Sequence, residues 1–318
     1  MNTPLDPGRA AFYGQFVAAA YAMYAADENN LRPAPLKIPA GWELSAWIHM
    51  SDFLFQITEP KFYGIVAYEI ANPDNRVVAI RGTEGIIEWI DDASSIVMVP
   101  FRQVPSAGRV AFGFDNIYST IRVEPVPRKV RGLEATTVPE PALTGSFGDQ
   151  LEQLAVRHEA ERGVTRGLAA SGTRRERPTV VTGHSLGSGL AELFALENSV
   201  KHKFDISLLC TLASPKVGNL EFKHIFEALP LVSWRIVNIR DVVPKLPPTI
   251  PFLLDYEHVN DVYSFDSGDF AKKNLGCYHS IDTYLHWLKG DLPLAGECGQ
   301  AAAAGPEAAP QIEQVAVP

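Results

Sequence analysis

Pro178-Thr179-Val180-Val181-Thr182-Gly183-His184-Ser185-Leu186-Gly187-Ser188-Gly189-Leu190 begins as a β-branched run, breaks at a glycine-flanked serine, and passes into an apolar helical pattern. The run 178–182 reads as a short buried strand and 188–200 as the helix that follows it. Beyond it, 205–213 reads as a second apolar strand, 220–229 as a helix with Phe222, Phe226 and Leu229 inward, and 232–239 as a third strand. Alternating strands and helices predict a mostly parallel central sheet flanked by helices, an α/β fold.

A serine hydroxyl is a weak nucleophile until a base takes its proton, and it must project from the backbone to reach a carbonyl. Gly183-His184-Ser185-Leu186-Gly187 meets the second requirement. A sharp strand-to-helix turn presents Ser185, and the flanking glycines let neighbouring backbones pass closely. The N–H of Leu186, at the start of the helix, can then face developing negative charge on a carbonyl oxygen. A second donor has to come from another loop, and Arg81-Gly82-Thr83, at the end of a predicted strand, offers Thr83.

The serine needs a histidine, and the histidine an acid that fixes its tautomer. Asp241 stands just past the third strand, at the carboxyl end of a parallel sheet where active-site loops gather. His279 lies between a loop and the apolar helix 281–288. His258, in Tyr256-Glu257-His258-Val259, is the rival base, although a histidine within a strand is more often a core residue. His184 sits too close to Ser185 to serve it as base. His49, His158, His202, His224 and His286 read as structural or solvated.

Towards the N-terminus, 11–26 reads as an amphipathic helix and 31–41, with Pro33, Pro35 and Pro39, as a loop. Prolines at 4 and 7 and the opposite charges of Asp6 and Arg9 argue against a signal peptide. Phe62–Ile70 and Arg76–Arg81, joined by Asn72-Pro73-Asp74-Asn75, predict a β-hairpin. In the segment 84–97, Ile86, Ile87 and Ile90 share one helical face, which fits either a cover over the site or a plain surface turn with buried isoleucines. Residues 122–148 read as an insertion or long loop with little packed structure, and 149–170 as a helix. One domain over 1–294 and a disordered tail over 295–318 are expected.

The chain of 318 residues has a net charge of −9, with 46% hydrophobic and 20% charged residues. Such a length buries roughly three quarters of the unfolded surface, so no metal or disulfide is needed for folding. The acidic balance argues against a nucleic-acid partner, and no apolar run of 18 or more residues would span a membrane. Cys210, Cys277 and Cys298 suggest neither a disulfide framework nor a zinc motif. Cys210 reads as a core residue, and a Cys277–Cys298 bridge as the minority alternative to free thiols. A nucleophilic role for Cys277 is disfavoured. Asp266 and Asp269 supply too few ligands for calcium. No metal site and no cofactor are expected.

The chain resembles the class 3 lipases, the family of filamentous-fungal triacylglycerol lipases and their bacterial relatives. The resemblance rests on an ordered set covering about 10 to 290. Its members are Phe16–Tyr24, Val78–Thr83, Trp89-Ile90-Asp91, Gly113-Phe114, Thr182–Gly187, Ser214–Asn219, Arg235–Pro247 and Tyr278-His279-Ser280 with Tyr284-Leu285. It implies an α/β-hydrolase fold with a short lid that includes Trp89. It implies Ser185, Asp241 and His279 as catalytic triad, Thr83 and Leu186 as oxyanion donors, and an ester or lipid substrate met at a lipid–water interface. A soluble-ester hydrolase of short-chain or feruloyl type is the alternative, and a non-catalytic binding protein on the same fold a remote one. The sequence departs from the family in Ala111, where a histidine is usual, in Ser188 in place of a glycine, in the 122–148 insertion, and in lacking the cysteine pairing of the secreted fungal members.

Overall fold

Along Arg76–Ile80, successive side chains enter two separate cores. Val78 and Ile80 join one, Val77 and Ala79 the other, and all four are buried. This period of two, with apolar residues on both sides, is what a strand covered on both faces requires. The computed structural model describes residues 3–51, 59–83, 97–127, 141–161, 178–202, 205–250, 254–260, 262–290, 294 and 296–299.

Among these, the strands are β1 (Trp42–Met50), β2 (Lys61–Glu69), β3 (Arg76–Ile80), β4 (Met98–Pro100), β5 (Arg109–Ala111), β6 (Arg122–Pro125), β7 (Pro178–His184), β8 (Asp205–Leu212), β9 (Gly218–Asn219), β10 (Ser233–Asn238), β11 (Tyr256–Glu257) and β12 (Val262–Phe265). The helices are α1 (Pro7–Ala26), α2 (Phe112–Thr120), α3 (Phe147–Glu161), α4 (Leu186–Lys201), α5 (Leu220–Glu227), α6 (Leu275–His279) and α7 (Ile281–Lys289). An eight-stranded sheet has the order β12-β10-β8-β7-β3-β2-β1-β6. From β3 to β12 every pairing is parallel, while β3-β2, β2-β1 and β1-β6 are antiparallel. A small antiparallel sheet, β11-β9-β5-β4, lies apart from it.

One core, built with Phe114, Phe147, Leu190 and Phe194, places α2, α3 and α4 against one face of the large sheet. The other, built with Phe16, Met23, Trp234, Tyr284 and Leu288, places α1 and α7 against the opposite face. α1 begins four residues before the sequence pattern suggested. Pro7 suits the first helical position and Asp6 caps it, accepting from the N–H of Arg9 at 3.0 Å.

Three expectations need correction. Residues 122–125, read as the start of an unpacked insertion, form β6 at the sheet edge, where Pro125 costs no interior ladder bond. Val123 is buried there, and its N–H donates to Gln150 Oε1 at 2.8 Å. α3 starts at Phe147, with Ser146 and Asp149 bonding reciprocally at its entry; residues 128–140 and 162–177 lie outside the described residues. Cys277 and Cys298 form a disulfide, and residues 296–299 pack beside it instead of belonging to a tail. Gly299 bridges Ala271, and Lys272 N–H donates to the Cys298 carbonyl at 2.9 Å. Residue spacing alone does not reveal that the chain doubles back on 271–277. Cys210 is free and buried, its thiol pushed up to about 12 by desolvation.

Glu192, inside α4, is also fully enclosed. Its carboxyl accepts from Ser214 Oγ at 2.7 Å, and burial pushes it up to about 8 from an ordinary 4.5. Between those two values the folded chain keeps a proton that the unfolded chain releases. Stability therefore falls as pH rises through that window. Glu192→Gln removes the titration, so its Tm advantage over wild type should widen from about pH 5 to about pH 8. Parallel Tm curves in thermal unfolding across that range would contradict this.

Candidate active site

Ser185 stands at the junction of β7 and α4 with φ 58° and ψ −128°, a region that side chains rarely enter. Close backbone approach holds it there. A Cβ on Gly183 would lie 2.4 Å from the Gly187 carbonyl oxygen, and one on Gly187 2.2 Å from that of Ile80. Ser188, where the family commonly has glycine, pins the same turn. Its Oγ lies 2.8 Å from the Gly183 carbonyl and 2.9 Å from that of Leu212, and it accepts from Leu212 N–H at 3.2 Å.

The structure brings Ser185, His279 and Asp241 into one line. His279 Nε2 is 2.8 Å from Ser185 Oγ, and His279 Nδ1 is 2.7 Å from Asp241 Oδ2. Asp241 follows β10, and His279 ends α6. The Asp241 carboxylate is enclosed and fully engaged. Val243 N–H donates to Oδ1 at 3.0 Å, and the Tyr284 hydroxyl donates to Oδ2 at 2.8 Å. Burial, and then the charge of Asp241, hold the Tyr284 hydroxyl well above its ordinary range, so it stays a donor. The Ser185 hydroxyl, 2.8 Å from Nε2, can pass its proton to the His279 imidazole, whose cation the Asp241 carboxylate then stabilises.

A second polar chain runs beneath the first. His184 Nε2 lies 2.8 Å from the His279 carbonyl, and His184 Nδ1 lies 2.8 Å from the Tyr21 hydroxyl. A carbonyl only accepts, so Nε2 carries the proton and Nδ1 accepts from Tyr21. The Tyr21 oxygen in turn accepts from Gly82 N–H at 2.8 Å. Burial drives His184 well below its ordinary range, keeping the ring neutral as this assignment requires. His184 is thus a bridge between backbone segments. Sequence reasoning excluded it as base but did not find this role; nor did it find Tyr21 or assign Tyr284 one. A buried tyrosine hydroxyl needs a partner, which was the available signal.

The segment carrying Thr83 runs against the serine, since a Cβ on Gly82 would fall 2.7 Å from Ser185 Cβ. Arg81 anchors this segment. Its guanidinium lies 3.6 Å from the Tyr24 ring centre and 4.3 Å from that of Tyr63, and it donates to the carbonyls of Phe62 and Gly82. Leu186 opens α4, where the first N–H groups have no partner within the helix. Ile86, Ile87, Trp89 and Ile90 lie outside the described residues. His258, the rival base, bonds the Pro244 carbonyl through Nε2, and burial pushes it down to about 3. Asp266 is occupied by an ion pair with Arg240, which lowers its carboxyl below the ordinary range.

The family model described as lipase (class 3) matches residues 77–250, more than half of the chain. Phospholipase A1-Igamma3, chloroplastic, of Arabidopsis thaliana is 28% identical over 67% of this chain and 42% of its own length. Phospholipase A1-Ialpha2, chloroplastic, of the same plant is 33% identical over 87% of this chain and 62% of its own. The chain spans about half the length of the curated relatives it matches. In fold it is similar to the Rhizomucor miehei lipase propeptide complex, with a TM-score of 0.53, 20% identity, and coverage of 87% of this chain and 76% of that one.

Asp241→Asn keeps the shape of the line but turns an amide towards Nδ1, favouring the wrong imidazole tautomer. The rate at which a fluorophosphonate modifies Ser185 should fall by about 10⁴-fold, the scale of the corresponding change in serine proteases. A rate within about tenfold of wild type would remove Asp241 from the line.

Proposed function

The chain belongs to the class 3 lipase family, and on that premise we propose that it is a carboxylic ester hydrolase that cleaves acylglycerol esters through an acyl-enzyme on Ser185. The observation that carries the proposal is the continuous line from Ser185 Oγ through His279 to Asp241, with contacts of 2.8 and 2.7 Å. Ser185 Oγ attacks the ester carbonyl while His279 Nε2 takes its proton. Asp241, fixed by Tyr284 and Val243 N–H, stabilises the imidazolium. The oxyanion is received by Leu186 N–H and by Thr83, where the start of α4 adds its positive end. His279 returns the proton to the departing alkoxide, and water then repeats the sequence on the acyl-enzyme.

Names borne by the relatives support a lipid ester in particular: phospholipase A1 among the plant proteins, lipase among the fungal structures. Ser185 is buried, which fits a site that opens to admit an ester. On its sequence the apolar segment 84–97 is the candidate cover, and a lipid surface the partner that would hold it aside. The soluble-ester reading predicts a different substrate profile.

Ser185→Ala should lower kcat on p-nitrophenyl butyrate by about 10⁴- to 10⁶-fold while leaving the fold intact. Wild-type rates on p-nitrophenyl esters of increasing length, and on emulsified acylglycerols and phospholipids, then identify the substrate. We expect emulsified long-chain esters to be preferred. Smooth saturation on short soluble esters, with no rise once droplets form, would support the esterase alternative instead.

A further inference from the structure

We propose that the Cys277–Cys298 bridge is a positioning clasp for His279, and that a dithiol reductant acting on it lowers turnover without unfolding the enzyme; this rests on the reading of His279 as the base. Cys277 and His279 lie two residues apart on α6, a helix of five residues. A helix this short has no stability of its own and takes its place from what holds it.

Towards the core, α6 and the turn after it are held by three hydrogen bonds to its carbonyls and by the His279 ring packed against that of His184, 4.7 Å between ring centres. Asn238 Nδ2 donates to the Tyr278 carbonyl at 2.8 Å, His184 Nε2 to that of His279 at 2.8 Å, and Thr283 Oγ1 to that of Cys277 at 2.7 Å. On the outer side Leu275 is half exposed, and the disulfide is the covalent hold. It fastens α6 to a segment 21 residues further along the chain. Lys272 N–H donates to the Cys298 carbonyl, Gly299 bridges Ala271, and Leu294 is buried nearby in sequence. Cys277 is buried, whereas Cys298 is half-buried. Cys210, the other cysteine, is enclosed in the core and takes no part.

Proton transfer tolerates little displacement; a shift of about 1 Å can cost on the order of 100-fold in rate. Releasing the outer side lets α6 sample positions in which Nε2 no longer faces Ser185 Oγ. The chemistry balances without any further reagent. A dithiol gives up two hydrogens and becomes a cyclic disulfide, and Cys277 and Cys298 become two thiols.

The test uses the full chain, purified without reductant, before and after dithiothreitol and alkylation, beside Cys277→Ser/Cys298→Ser. Read together are kcat and KM on a soluble p-nitrophenyl ester, the fluorophosphonate labelling rate, and far-UV circular dichroism. We expect kcat and labelling to fall about tenfold or more on reduction, with KM and dichroism unchanged. Reoxidation before alkylation should restore both rates. The double variant should begin at the low rate and ignore dithiothreitol. An unchanged kcat in the reduced, folded enzyme overturns the proposal. So does a loss that follows the loss of dichroism, which would make the bridge a plain structural staple. If the double variant does not fold, the reduced wild type decides alone. His279→Ala separates the two readings: full activity there defeats the base assignment itself, whereas an inactive His279→Ala beside a fully active reduced enzyme defeats only the clasp.

Discussion

One non-glycine residue held at φ 58° and ψ −128° sets the terms for the whole carboxyl end of the sheet. Such a conformation costs roughly 1–3 kcal/mol and persists only where its surroundings impose it. Here β7 must stop, turn sharply and become α4, so that position 183 lies against the backbone of Gly187 and Ser188 and position 187 against that of Ile80 and Arg81. That is why positions 183 and 187 carry no side chain. Ser185 N–H still donates to the Leu212 carbonyl at 3.0 Å, so the turn stays tied to β8. Ser188 adds a hydroxyl to the same knot. The departure from the usual glycine therefore does not loosen the elbow, because the hydroxyl bonds backbone groups on both sides of it.

Once the elbow is fixed, the groups that would act with it must reach it from three separate stretches of chain. The chain of bonds Gly82, Tyr21, His184, His279 performs that registration. It joins α1, the segment after β3, the elbow and α6 through hydrogen bonds whose directions are mutually determined. If Nε2 of His184 carries the proton, Tyr21 must donate to Nδ1, and its oxygen is then free to accept from Gly82. A protonated His184 would break the sequence, and burial of the ring prevents that. The network of Tyr21 and His184 does more than hold its neighbours together. What it adds is direction, since apolar contacts do not specify which way a carbonyl faces.

The half of the fold from β7 to β10 was legible because each element there is buried on both faces or along one full stripe, so its apolar period is strong. The other half was harder to read. β1 mixes Trp42, Glu43, Ser45 and His49 with apolar residues, and its polar members are satisfied by partners distant in sequence, as when Ser45 Oγ meets His158 Nε2 at 3.0 Å. β6 is a four-residue edge strand bearing Arg122, Glu124 and Pro125, a composition that protects an edge and also reads as a loop. At the site, Ser185, Asp241 and His279 were legible because fold order and local turn chemistry restrict where they can stand. Tyr284, Tyr21 and the disulfide were not. Each is defined by a partner contributed from another segment, and no local pattern encodes that meeting.

These supports are unevenly distributed. Ser185 sits in the core at the end of a central strand, and the Asp241 carboxylate is enclosed with donors on both oxygens. His279 is the member left nearest the surface, its side chain 17% exposed and carried by a single short turn of helix. A proposed base that must rotate between accepting a proton from one oxygen and delivering it to another benefits from such freedom, whereas the proposed nucleophile and acid benefit from rigidity. The same freedom makes its position the softest part of the line. The sheet reaches α6 only through the Asn238 and His184 bonds to its carbonyls, so a contact that fixes α6 from its other end acts where the line is least constrained.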